Sequence, residues 1–273
     1  MRPITPATAL CGILLHPAGH TRSPAMHNAA FEALGVDARY LAFDVPPARL
    51  ADAIAGARAL RIRQLAVSIP HKEAVLPLLD AVDETARRIG AVNTVTLRGD
   101  RLEGANTDWL GAVRALEAAG GPLAGRRAVV LGAGGTARAV TFGLAARGAR
   151  VTVLNRTPAR AEALARELGA VEAGPLSALG AAAFDVLVNT TSVGLRADAS
   201  PVPAEALRAG ALVMDVVYDP PETRLLRDAR ARGCATVPGR AMLVEQAAEQ
   251  LRLWTDLEPP IDLMAQAFDA AGR

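Results

Sequence analysis

Lys72 is the only lysine in a chain of 273 residues in which the other 29 of 30 Lys and Arg positions are arginine. An ammonium is a compact donor that can give up a proton near neutral pH, whereas a guanidinium stays charged in any protein setting. A lysine kept among so many arginines reads as a proton-transfer group, chance being the alternative. It lies in Ser68-Ile69-Pro70-His71-Lys72-Glu73. The second chemical marker is Gly132-Ala133-Gly134-Gly135-Thr136-Ala137, which follows the apolar run Val129-Val130-Leu131 and fits G-x-G-x-x-G/A. Glycines there permit a tight turn and close approach of backbone to a pyrophosphate seated on a helix N-terminus. Where the next strand ends, an acid would hold a free ribose 2′-hydroxyl. The chain instead has Asn155-Arg156-Thr157, with Arg160 one turn on. Arginines and a hydroxyl suit a 2′-phosphate, so NADP is expected rather than NAD. Simple capping by Thr157 ahead of Pro158, with a solvated Arg156, is the competing account.

Asparagine is equally scarce, occurring only at positions 28, 93, 106, 155 and 189. Each reads as a strand end or loop rim. Turn chemistry explains some of them. It explains Asn93 poorly, since Val92, Thr94 and Val95 favour strand, where asparagine is depleted. An amide so placed should bond a neighbouring loop or a ligand hydroxyl. Asp108 opens a helical stretch, where an acid favours the helix dipole, and that role is compatible with a chemical one. His16, His20, His27 and His71 share no metal-ligand spacing and have no cysteine beside them, so no metal is expected.

The elements that must position these residues read as an α/β chain. Hydrophobic residues make up 51% and aromatics 3%, so the cores are built from Ala, Val and Leu, and the length suits two domains. A net charge of +2 with scattered arginines argues against a nucleic-acid footprint and for a small-molecule partner. Cys11 and Cys234 form no C-x-x-C pair, and no signal peptide or membrane span is read, which fits the cytoplasm. Strands are expected over 8–15, 40–43 and 64–67, alternating with helices over 24–34 and 47–58. Ser23 serves as N-cap ahead of Pro24. That βαβαβ rhythm implies a parallel sheet. A hairpin over 91–97 and 101–103 and a helix over 108–119 follow. A second series has strands over 128–131, 150–154, 185–188 and 211–215, with helices over 136–147, 158–168 and 222–232. A long helix from 239 to about 254, bearing Gln246 as either ligand group or ordinary glutamine, and one over 261–271 close the chain.

These residues together resemble the shikimate dehydrogenases over nearly the full length. The matching pieces are Ser23 to Asn28, Ile69 to Glu73, Ile89 to Val95, Asn106-Thr107-Asp108, Gly132 to Arg138, Asn155-Arg156-Thr157, Asn189 to Gly194, Asp215 to Tyr218 and Met242 to Ala247. The resemblance implies two α/β domains with an active site in the cleft between them. A substrate domain with a parallel or mixed sheet spans 1–105 and 239–273, and a Rossmann NADP domain spans 106–238. It implies reversible reduction of 3-dehydroshikimate to shikimate by a monomer or homodimer. Lys72 and Asp108 become the catalytic pair, a carboxylate favouring the ammonium as resting proton donor. Thr21, Ser23, Ser68, Asn93, Tyr218 and Gln246 become substrate contacts. Thr190, Ser192, Val216, Gly239 and Met242 join the glycine loop and the Asn155 to Arg160 group around the cofactor. Five positions depart from the family pattern. Thr21 and Ala66 replace a serine and an asparagine, Ser68 replaces a threonine, and Leu15 and Ala241 replace glycines. The changes fall more on the sugar-acid pocket than on the cofactor, which makes quinate the rival substrate and a non-catalytic NADP-binding regulator the rival class.

Overall fold

A computed structural model describes residues 3–170 and 172–272. The chain divides into two compact units, one running to Thr107 and resuming at Gln246, the other Asp108–Glu245. The sequence reading put these joins at 105/106 and 238/239. The later join falls instead within a helix, because Met242 is buried with Val188, Met214 and Val237 in the second unit's core.

The first unit contains β1 (Ala9–Leu15), α1 (Ser23–Leu34), β2 (Ala38–Asp44), α2 (Leu50–Ala59), β3 (Gln64–Val67), β4 (Ala81–Val82), α3 (Glu84–Ile89), β5 (Thr94–Arg98) and β6 (Arg101–Ala105). Its sheet runs β2-β1-β3-β5-β6-β4 and is mixed: β1 is parallel to β2 and β3, and β5 is antiparallel to β3 and β6. Leu14, Leu65, Val67 and Val95 bury against Leu50, Ile54 and Ala57 of the α2 segment. Three expectations shift. Ser23 is not the N-cap of α1; Arg22 holds that position without a side-chain capping bond to the helix, and the Ser23 N–H donates to Thr21 Oγ1 at 3.3 Å. The segment 47–49 is a 3₁₀ turn that leads into α2. The strand expected from residue 91 begins at Thr94, because the Val92 N–H is drawn to the Lys72 carbonyl at 2.8 Å.

The second unit contains α4 (Asp108–Gly120), β7 (Arg127–Leu131), α5 (Gly135–Ala146), β8 (Arg150–Asn155), α6 (Pro158–Leu168), β9 (Glu172–Pro175), β10 (Val186–Asn189), β11 (Leu212–Asp215), α7 (Arg224–Ala231) and β12 (Ala235–Val237). Its sheet is wholly parallel, in the order β12-β11-β10-β7-β8-β9. Helices cover both faces, so the central strands are apolar throughout rather than alternating. The helix α8 (Gly239–Thr255) belongs to both units in turn, and α9 (Ile261–Ala270) closes the first. Strands β4 and β12 are only two and three residues long, and β9, Glu172-Ala-Gly-Pro175, carries glycine and proline in place of an apolar run, so none of the three is read from sequence. Among the described residues, no helix is long and apolar enough to cross a membrane.

Candidate functional site

In the first unit the strand order reverses at β1, which has β2 on one side and β3 on the other. Such a reversal opens a crevice beyond the strands' carboxyl ends. Two loops leave there. The loop after β1 carries His16 to Arg22, and the loop after β3 carries Ser68 to Lys72. They are tied together by His16 N–H donating to the Ile69 carbonyl at 3.0 Å, and by Ser68 N–H donating to Leu14 at 2.9 Å. Register brings further groups to the same end, since Ala66 faces Thr94 and Thr94 faces Ala105. Asn93, Thr107, Ser68 and Lys72 therefore leave neighbouring strands at one end of the sheet, with Thr21 and the buried Ser23 following β1. The Lys72 side chain is half-buried, and its carbonyl accepts from Val92 N–H, which locks the lysine loop to the segment before β5. His71 is buried, with Nε2–H donating to the Val45 carbonyl at 2.8 Å, so its work is to brace this loop.

Asn93 is 2% exposed and sits at the centre of a polar cluster. Its Nδ2 donates to Thr107 Oγ1 at 2.9 Å and to Gln246 Oε1 at 3.2 Å. Its Oδ1 accepts from Thr107 N–H at 2.8 Å and from the Thr94 hydroxyl at 2.7 Å. Thr107 Oγ1–H donates in turn to the Gln246 carbonyl at 3.0 Å, fastening α8 to this end of the sheet. Asn93 and Gln246, taken separately from sequence, are thus partners, and a ligand hydroxyl would replace the longer bond between them. Thr94 and Thr107 were missed because a threonine beside a strand is ordinary. The recurrence of Asn-Thr at 93–94 and 106–107 was the signal available.

Asn28 is neither at a strand end nor on a loop rim but inside α1. Its Nδ2 donates to the Tyr40 carbonyl and its Oδ1 accepts the Tyr40 N–H, both at 2.9 Å. The side chain substitutes for a missing strand along the outer edge of β2.

In the second unit the order reverses at β7, between β8 and β10, and Gly132 leaves the carboxyl end of β7. Gly132 has φ +113°, and a Cβ there would stand 2.6 Å from Thr190 Oγ1. That hydroxyl donates to the Leu131 carbonyl at 2.6 Å, so Thr190 clamps the loop. Gly134 is the N-cap of α5 with open space beside its Cα, while Ala133, Gly135 and Thr136 are half-buried. Ala137 is 1% exposed in the core, which explains a small residue at the third motif position. At the end of β8, Asn155 Nδ2 donates to the Thr157 carbonyl at 3.0 Å, and Thr157 is the N-cap of α6 without a side-chain bond. Arg156, Thr157 and Arg160 are exposed. Among the described residues neither guanidinium has a hydrogen-bond or ion-pair partner, whereas Arg138 in the first turns of α5 is paired with Glu167. The loop, the open helix N-terminus and two unengaged cations without a carboxylate fit a dinucleotide bearing a 2′-phosphate.

Beyond β10 and β11, Asn189 and Asp215 organise the neighbouring turns. Asn189 Oδ1 accepts from Thr191 N–H and Oγ1–H at 3.0 and 2.7 Å, and its Nδ2 donates to Asp215 Oδ1 at 2.9 Å. Asp215 also accepts from Thr223 Oγ1 at 2.7 Å and Val217 N–H at 3.1 Å. Burial pushes the Asp215 carboxyl up from 3.8 to about 6, and these hydrogen bonds pull the other way. The turns so held carry Ser192, exposed, and Val216 and Tyr218, both half-buried. A Cβ on Gly239 would collide with the Val216 and Val217 carbonyls, so only glycine lets α8 begin there. Asp108 is the first residue of α4 and 4% exposed; it belongs to this unit, and Lys72 to the other.

Three family models match the chain. They are the shikimate dehydrogenase substrate binding domain over 13–95, the shikimate/quinate 5-dehydrogenase over 114–197, and the shikimate 5′-dehydrogenase C-terminal domain over 239–267. The NADP(+) shikimate dehydrogenase of Thermococcus kodakarensis is 51% identical over 262 residues, covering 95% of this chain and 96% of its own. The chain belongs to the shikimate dehydrogenase family. Among solved members, the Thermus thermophilus shikimate 5-dehydrogenase in complex with NADP(H) and shikimate superposes with a TM-score of 0.89 at 44% identity. The match covers 96% of this chain and 99% of that one. The quinate dehydrogenase of Corynebacterium glutamicum in complex with NAD gives 0.87 at 35% identity, covering 96% and 99%. The family's shikimate and quinate branches thus share one fold, and residues rather than architecture must separate their substrates.

Proposed function

We propose that this family member catalyses the NADP-dependent, reversible reduction of 3-dehydroshikimate to shikimate, a step towards the aromatic amino acids. The observation that carries the reading is the gathering of hydroxyls, amides and the one lysine at the carboxyl end of the first unit's sheet. Those groups suit a polyhydroxylated ring acid. Thr21 and Ser23 hydroxyls receive its carboxylate, and Asn93, Gln246 and Ser68 its ring hydroxyls, with Tyr218 as a further contact. Lys72 Nζ–H hydrogen-bonds the ketone oxygen and delivers the proton as that oxygen becomes a hydroxyl, Asp108 being the second member of the proton-handling pair. A positioned acid contributes on the order of 10² to 10⁴ in rate.

NADPH supplies the hydride when bound. The Gly132 to Ala137 loop and the N-terminus of α5 hold its pyrophosphate, and Arg156 and Arg160 with Asn155 and Thr157 hold its 2′-phosphate. Thr190, Ser192, Val216, Gly239 and Met242 line the nicotinamide end. The unengaged guanidinia favour NADP over NAD, because a site that leaves two cations unpaired gains most from a dianionic group.

The test is kcat/KM for shikimate and for quinate, each with NADP and NAD, followed by nicotinamide absorbance. Shikimate with NADP is expected to exceed every other pair by tenfold or more. A quinate preference would move the chain to the other branch, where Thr21 and Ala66 would be the residues to examine. The absence of turnover on either acid would support a regulator.

A further inference from the structure

Gln250 lies one turn beyond Gln246 on α8 and is 1% exposed. Its Nε2 gives one proton to the Asn93 carbonyl at 2.9 Å and the other to Thr94 Oγ1 at 3.0 Å. A threonine hydroxyl has a single proton. With a lone pair of Thr94 Oγ1 occupied by Gln250, that proton is directed to Asn93 Oδ1, 2.7 Å away. On the other side Thr107 makes the same kind of choice. It gives its proton to the Gln246 carbonyl and therefore accepts from Asn93 Nδ2. The two threonines, with the Thr107 N–H that also donates to Asn93 Oδ1 at 2.8 Å, thus hold the two ends of the Asn93 amide, oxygen towards Thr94 and the Thr107 N–H, nitrogen towards the Thr107 hydroxyl and Gln246.

We propose that Gln250 is a positioning residue for the reaction: acting through the Thr94 hydroxyl, and together with the Thr107 N–H, it holds the Asn93 side-chain amide in the plane in which its N–H end meets a substrate hydroxyl. This rests on the proposed role of Asn93 at the substrate. Without Gln250 the Thr94 hydroxyl is free to rotate, and Asn93 Oδ1 keeps only the Thr107 N–H of its two oriented donors, so the amide can tilt about that remaining bond. The Asn93 carbonyl keeps its bond from Val67 N–H at 2.8 Å, so the backbone stays in place. The consequence is selective, falling on substrate affinity rather than on the cofactor or the proton transfer.

The experiment measures steady-state kinetics of Gln250→Met, Thr94→Val, Thr94→Ser, the Gln250→Met/Thr94→Val pair and Asn93→Ala, each checked for folding by thermal melting. Loss of one oriented hydrogen bond corresponds to about a tenfold rise in KM for shikimate. That rise is expected in Gln250→Met and in Thr94→Val, with kcat and the KM for NADP within about twofold of the unaltered chain on the same reasoning. Thr94→Ser, which keeps the hydroxyl, should restore the normal KM. The double variant should be no worse than either single one, because both break the same relay. A purely structural role would instead lower melting temperature, move both KM values and add up in the double variant; that outcome overturns the proposal. An unchanged shikimate KM in Gln250→Met and Thr94→Val, when Asn93→Ala raises it, also defeats the proposal and leaves the site reading standing. Should Asn93→Ala itself leave the shikimate KM unchanged, the site reading fails and the proposal with it.

Discussion

Replacing His27 by phenylalanine should flatten the acid side of this protein's stability. The imidazole is completely buried, stacked on Tyr40 with centroids 4.3 Å apart and 15° between rings, and 5.2 Å from the Trp254 ring. Burial pushes its pKa down from 6.5 to about 3. The Gln250 amide opposes this, though neither ring nitrogen has a partner in hydrogen-bond geometry. Between those two values the unfolded chain binds a proton that the folded chain refuses, so stability rises with pH across the window. The contribution is fully present above pH 6.5 and lost as pH falls towards 3. At 1.36 kcal/mol per pH unit, about 2 kcal/mol is gone at pH 5 and ~3 kcal/mol at pH 4. Asp215 runs the other way. Its carboxyl is raised from 3.8 to about 6, so its contribution is present below 3.8 and lost as pH rises through 6. The two partly cancel in the unaltered chain, and only the difference between chain and variant isolates the histidine. Urea unfolding at pH 7, 6 and 5 measures it, and phenylalanine keeps the ring stack while removing the titration. The unaltered chain should lose about 2 kcal/mol relative to His27→Phe between pH 7 and pH 5. A difference that stays constant across that range refutes the argument.

Three further outcomes are expected at the site. Lys72→Arg keeps the charge but cannot release a proton, so kcat should fall on the order of 10²-fold or more with NADP binding intact, and a near-normal kcat removes the acid role. Replacing Arg156 and Arg160 together by alanine should raise KM for NADP by roughly 10- to 100-fold and leave NAD unaffected, since two charge-assisted contacts are lost. Equal effects on both cofactors would refute a 2′-phosphate site. Gly132→Ala forces a side chain into φ +113° and against Thr190 Oγ1. It should cost about 1–3 kcal/mol of stability and weaken NADP, as read by melting with and without cofactor; an unchanged melt would show that the loop does not need its glycine.

Local chemistry decides what the sequence alone determined. The Gly132 to Ala137 loop was legible because a tight turn, a close approach and a packed helix each demand a small residue within six positions. Lys72 was legible because arginine occupies every other basic position. The alternation of strands and helices followed from apolar runs punctuated by glycine and proline, and it led to two parallel series and to the hairpin of β5 and β6, without revealing that β5 also pairs antiparallel with β3. The two- and three-residue strands β4 and β12, and the Gly- and Pro-bearing β9, lack the apolar run that made β3, β10 and β11 legible. What only the tertiary structure decided is which polar groups meet. Asn28 reads as an isolated helical amide until β2 lies beside it with its edge unpaired. Asn93, Thr107 and Gln246 are separated by as many as 153 positions and become one hydrogen-bonded cluster through strand register and the return of α8. A hydroxyl has one proton to give, and no local pattern says which of its neighbours will receive it. That choice depends on the positions of acceptors contributed by distant segments, and those positions exist only once the sheet and α8 have packed.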